Sequence, residues 1–159
     1  MTLSTRIAPH LPYLRRFARA TTGSQTSGDA YVAATLEALI ADVAIFPEAS
    51  SDRIALYQLF SKLFSSSAVR IPNPQPHFVW EQRASRNLAN LAPRPRQAFL
   101  LVAVEGFTNE QAAEILGIPD AEFTQLLDQA SREISRQVAT DILIIEDEPL
   151  IAMDIEQLV

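Results

Sequence analysis

The residues in this chain best suited to chemistry are carboxylates, and they cluster. Between Gly106 and Ser131 stand Glu110, Glu114, Asp120, Glu122 and Asp128, with no Lys or Arg among them. A second cluster, Glu146-Asp147-Glu148, follows the short apolar run Asp141-Ile142-Leu143-Ile144-Ile145. Grouped carboxylates of this kind suit a hard divalent cation. No nucleophile–base constellation accompanies either cluster, and the few glycines form no phosphate-binding loop. The absence of cysteine excludes a disulfide framework, a zinc ribbon and thiol catalysis. His10 and His77 lie far apart in the sequence with no cysteine to complete a metal site. The chain does not read as an enzyme.

Helical periodicity accounts for the elements that position them. Apolar residues at Ile7, Leu11, Leu14, Phe17 and Ala18 predict a helix over Thr5–Ala20, followed by a small polar loop over Thr21–Ser27. Val32, Leu36, Leu39, Ile40 and Val43 fall on one face of a helix over Gly28–Ile45, which Phe46-Pro47 stops. Ser50 or Ser51 can cap a third helix containing Ile54, Leu56, Tyr57, Phe60, Leu63 and Phe64. Ser65 to Pro76 contains IPNPQP, which is stiff, extended chain and marks a linker over residues 65–80. A second helical set follows: Phe78–Leu91, with Trp80 as an anchor, then a helix opened by Pro93 and Pro95 that runs to Val104.

Thr108 and Gln111 have capping-box spacing, and Gly117 supplies a C-terminal turn. After Pro119 a longer helix aligns Phe123, Leu127, Ala130 and Ile134. A short helix, a glycine turn and a longer helix make a helix-turn-helix. The run Asp141–Ile145 instead reads as one buried strand and Leu150–Val159 as one helix, a single βα unit. The expected fold is all-α: a first helical subdomain over 1–64, a helix-turn-helix subdomain over 81–140, and the start of an α/β domain over 141–159.

The net charge of −6 hides three regions. Residues 1–100 carry 11 basic and 6 acidic side chains, residues 101–140 carry 2 and 7, and residues 141–159 carry 0 and 6. Such asymmetry speaks about partners. Arg15, Arg16 and Arg19 can be a solvated helix face or a nucleic-acid patch, and Arg15 and Arg19, at i, i+4, can also pair with an acid of a partner. Those same arginines interrupt any leader-like pattern at the N-terminus, and no apolar run reaches the ~18 residues that span a bilayer. A cytoplasmic protein with no membrane contact is expected.

Residues 1–138 resemble bacterial extracytoplasmic-function sigma factors. HLPYLRRFARATTG and DAYVAATLEALI are similar to helices of their region 2, and LAPRPRQAFLLVAVEGFTNEQAAEILGIP to the approach to the helix-turn-helix of their region 4. DILIIEDEPLIAMD resembles the start of a response-regulator receiver domain. This order of parts is that of the PhyR-type regulators of the alphaproteobacterial general stress response. The departures are informative. Where the second helix of a sigma factor carries Lys and Arg, Thr124, Leu126, Gln129 and Ser131 stand here, and Asp120, Glu122 and Asp128 add negative charge. Lys and Arg contacts to phosphate supply most nonspecific DNA affinity, and G is usually read by a bidentate Arg. Gln125 and Gln129 retain the chemistry to read adenine, but DNA binding is not expected.

The resemblance implies a protein partner, the anti-sigma factor NepR, and a role as an anti-anti-sigma factor in a phosphorylation-controlled partner switch. The residues it singles out are Asp120, Glu122, Phe123, Leu126, Asp128 and Gln129. The three acids can equally be a solvated face, and Leu126 and Phe123 can equally be core. Glu146 and Asp147 match the receiver pair that helps hold Mg²⁺. The phosphoacceptor Asp of a receiver follows its third strand, so the receiver is expected to be truncated here, with no phosphoacceptor and little Mg²⁺ affinity. In such regulators the receiver covers the sigma-like part, so the partner site is expected to be open. The competing reading is a working sigma factor that binds polymerase core and promoter DNA.

Overall fold

Prolines and short polar side chains decide where the helices start and stop. The computed structural model describes residues 2–66 and 93–139, and the regular structure among them is entirely helical. The elements are α1 (Leu3–Ile7), a 3₁₀ turn (Ala8–His10), α2 (Leu11–Thr22), α3 (Gln25–Ala41), a second 3₁₀ turn (Val43–Ile45), α4 (Asp52–Ser65), α5 (Pro93–Ala103), α6 (Asn109–Leu116) and α7 (Asp120–Ala139). The single helix expected over Thr5–Ala20 is divided, because Pro9 and Pro12 offer no N–H to continue the ladder. The loop expected over Thr21–Ser27 shrinks to a tight turn. Gly23 ends α2 at φ 71°, and Ser24 starts α3 by accepting a bond from Ser27 N at 3.2 Å. Ser51 is the residue that caps α4, through Ile54 N at 3.2 Å.

The third helix departs further from expectation. It stops at Ala41, and Asp42 is extended, with its carboxylate accepting from Ala44 N at 2.9 Å. The buried line of α3 runs through Val32, Thr35 and Leu39, with Leu36 packed beside it. Ile40 lies about 100° around the helix from Leu39, and Val43 lies beyond the helix end. Both are exposed, at 82% and 59%, and not on the core face expected for them.

One hydrophobic cluster runs through both halves. Leu14 and Phe17 (α2), Ile54, Tyr57 and Phe60 (α4), Leu100 and Leu101 (α5), Phe107 (between α5 and α6), Ala112 and Ile115 (α6) and Phe123 (α7) all belong to it. Phe17 packs on Tyr57 with ring centroids 5.3 Å apart, and Tyr57 meets Phe107 edge to face at 5.0 Å. The α2–α3 crossing is close: a Cβ at Gly28 would stand 2.6 Å from Arg19 N. The predicted helix over Phe78–Leu91, most of the linker over 65–80 and the βα unit over 141–159 lie outside the described residues.

Candidate functional site

The helix-turn-helix is built by its own sequence. Thr108 and Gln111 form the expected capping box at the start of α6. Gly117 takes φ 65°, and Ile118 N reaches back to Ala113 O at 3.1 Å, so the chain turns sharply into α7. Phe123 and Ala130 anchor α7 to the core. Asp120 and Glu122 occupy its first turn, where negative charge complements the helix dipole.

The five acids of this stretch divide by what they touch. Glu114 turns toward α4, accepting from Ser50 N at 2.9 Å and from Ser50 Oγ at 2.7 Å, which hold its carboxyl below the usual range. Thr108 lowers that of Glu110 in the same way. Glu122 pairs with Arg94 across 3.4 Å, both side chains largely exposed. Asp120 and Asp128 are exposed and make no ion pair among the described residues. Gln129 is exposed beside them, and with Gln125 and Asp128 it lines a shallow depression of about 380 Å³ that ends at Arg132 and Arg136. Leu126 is half-buried against the core. Phe123 has no exposed surface, so it supports this face from beneath and does not belong to it. The face that remains consists of Asp120, Glu122, Asp128 and Gln129, with the edge of Leu126.

A second assembly had no counterpart in the periodicity. The side chain of Glu105, in the turn after α5, is wholly buried. Arg16 Nε donates to it at 3.0 Å and the Tyr57 hydroxyl at 2.8 Å, while Arg53 lies 3.5 Å away. Arg53 also donates to the Glu105 carbonyl at 2.7 Å and stacks on Phe107, 4.0 Å from the ring centroid. Burial, reinforced by the Glu105 charge, raises the Tyr57 hydroxyl far above its ordinary value, so it stays a donor. Gln58 Nε2 to Glu114 O at 2.8 Å and Arg96 Nη1 to Thr21 O at 2.9 Å add further links. The helix-turn-helix half is thus hydrogen-bonded to the first half through a buried charged joint. No local pattern pointed to it, because the partners of Glu105 lie 48 to 89 residues from it along the chain.

The arginines of α2 are used internally. Arg15 and Arg19 converge on Asp29 of α3, at 2.9 and 2.7 Å, and their guanidinium groups hold its carboxyl well below the usual range. They tie α2 to α3 and are already paired.

A helix-turn-helix docked on a helical first half, with no Lys or Arg between Gly106 and Ser131, is the arrangement to set against known families. The family descriptions agree, with "Sigma2 domain of PhyR" matching residues 7–61 and "Response regulator PhyR, sigma-like domain" matching residues 88–137. This chain belongs to the PhyR family. It is 45% identical to the phyllosphere-induced regulator PhyR of Methylorubrum extorquens over 159 residues, which is 100% of this chain and 59% of that protein. The anti-anti-sigma factor PhyR of Bartonella quintana, solved in complex with the anti-sigma factor NepR, superposes with a TM-score of 0.83 at 59% identity, over 99% of this chain and 59% of that one. The PhyRSL–NepR complex of Sphingomonas sp. Fr1, solved by NMR, gives a TM-score of 0.73 at 38% identity, over 93% of this chain and 96% of that one. The chain therefore spans about three-fifths of the length of the full-length relatives.

Proposed function

We propose that this chain captures the anti-sigma factor NepR by imitating a sigma factor, and so acts as an anti-anti-sigma factor in the cytoplasm. The observation that carries this reading is the outward face of α7. The helix keeps the packing of a DNA-reading helix, yet between Gly106 and Ser131 it offers no cation to a phosphate. Relatives of this chain are solved with NepR bound, which supports the same conclusion. Asp120, Glu122, Leu126, Asp128 and Gln129 make the contacts, and Phe123 holds α7 in place for them. The division into helical subdomains over 1–64 and 81–140, joined by a linker over 65–80, belongs to this reading.

Function here is binding, with no reaction catalysed by the chain. Glu146 and Asp147 would contribute to an Mg²⁺ site within a whole receiver domain, whose phosphorylation controls access to the sigma-like part. The test is a competition. Tagged chain is mixed with purified NepR and polymerase core, together with a labelled promoter duplex. Retention of NepR alone is the expected result; retention of core and duplex instead would make this a working sigma factor.

A further inference from the structure

A second feature of the surface is unconnected with α7. Ile40, Ala41, Asp42, Val43, Ala44 and Ile45 are six consecutive exposed residues, five of them apolar. Ile40 is 82% exposed, Val43 59% and Ile45 38%. An exposed run of this length departs from the pattern of a solvated surface, and exposed apolar patches mark interaction sites. The run is held in shape. Asp42 N bonds to Ala38 O at 3.0 Å, Asp42 accepts from Ala44 N at 2.9 Å, and Phe46 N closes the 3₁₀ turn on Val43 O at 3.2 Å. Ile and Val have stiff side chains, so little rotamer freedom is lost when they are covered.

The charges around the run select what covers it. Along the chain from Ala20 to Asp52 there is no Lys, Arg or His, and Arg6, which reaches the cleft lined by Phe46, Pro47 and Glu48, is already paired with Asp52. Glu37, Asp42 and Glu48 are all exposed beside or within the run. Acids around an apolar surface repel nucleic acid and anionic lipid, and they also repel residues 141–159 of this chain, which hold 6 acids and no base. We infer that the end of α3 and its 3₁₀ turn form a second docking surface, for a basic amphipathic helix of a partner protein. The apolar stripe of that helix packs on Ile40, Val43 and Ile45, and its Lys and Arg face Glu37, Asp42 and Glu48. This surface stands independently of NepR capture by α7.

The test uses the full chain and two fluorescein-labelled amphipathic peptides, one of Leu and Lys and one of Leu and Glu in the same pattern. Fluorescence anisotropy is expected to show saturable binding of the Leu/Lys peptide and none of the Leu/Glu peptide. The Ile40→Ser/Val43→Ser variant, which keeps every charge, should weaken binding at least tenfold. Glu37→Lys/Glu48→Lys, which keeps the apolar run, should weaken it severalfold, and Leu126→Ser/Asp128→Asn on α7 should not change it. Unchanged binding by the Ile40/Val43 variant overturns the proposal, as does equal binding of both peptides. So does concentration-dependent self-association in sedimentation equilibrium that the Ile40/Val43 variant abolishes, because the surface would then serve a second copy of the chain. Thermal unfolding of each variant confirms that its fold is intact.

Discussion

Two sets of acids in the helix-turn-helix half do opposite work. Glu105 is fully buried and surrounded by Arg16, Arg53 and the Tyr57 hydroxyl, whereas Asp120 and Asp128 stand in water on the outer face of α7. Removing one member of a buried charged cluster strands the others, so the joint is expensive to break. An exposed carboxylate contributes little to stability and is free to serve recognition. The comparison separates a structural acid from a presented one within a stretch of about twenty-five residues, where sequence alone shows only negative charge.

The comparison breaks most directly at Glu105. Glu105→Ala strands the buried Tyr57 hydroxyl and leaves the partly exposed Arg16 and Arg53 without their shared anion, and should cost about 2–3 kcal/mol in urea unfolding. Glu105→Gln, which can still accept from Tyr57, should cost less. A loss below ~1 kcal/mol for the alanine variant would mean that the joint does not hold the halves. On the other side of the comparison, Leu126→Ala/Asp128→Arg should lower NepR affinity by ~2 kcal/mol, roughly thirtyfold, as expected for a central contact. Its unfolding midpoint should fall modestly, because Leu126 is half-buried against the core, while Asp128→Arg alone should leave it near that of the unaltered chain. Calorimetric titration with NepR checks the first expectation and a denaturant curve the second; unchanged affinity would remove α7 from the interface.

Asp29 sharpens the comparison as an intermediate case, an acid paired twice but partly open to solvent. Its folded-state carboxyl lies below its unfolded value because Arg19 and Arg15 hydrogen-bond to it. The stabilisation is therefore complete above the unfolded value of about 3.9 and fades as pH falls through the lower folded value. Asp29→Asn should flatten the loss of thermal stability between about pH 4 and pH 2, relative to the unaltered chain. The smallest effect belongs to the exposed Arg94–Glu122 pair. Arg94→Ala should change unfolding by ~0–1 kcal/mol and leave Glu122 available on the surface. A larger loss would move Glu122 from the presented class to the structural one.

Local chemistry made most of the helices legible. The Thr108–Gln111 capping box, the Gly117 turn and the Phe123–Ala130 core line are decided by residues within a few positions of one another. The same holds for the proline that divides the first expected helix, although its effect is a local one that periodicity passes over. The surroundings of the candidate residues were less legible than the helices that carry them. Phe123 shares the helix with the presented acids and yet is buried, and Glu122 is tied to an arginine 28 residues away.

By itself the sequence determined that the chain is helical, that it ends its second half in a helix-turn-helix, and that residues 106–131 of this element hold no Lys or Arg. Each of these follows from spacing, capping or charge along one segment. Only the tertiary structure decided which acids are spent inside. Glu105 meets Arg16 and Tyr57 across separations of 89 and 48 residues, and Ser50 meets Glu114 across 64. It also decided that Ile40 and Val43 face water, because whether an apolar residue is covered depends on which other helix reaches it. Pairings between distant positions depend on how the helices pack, and no local pattern carries that information.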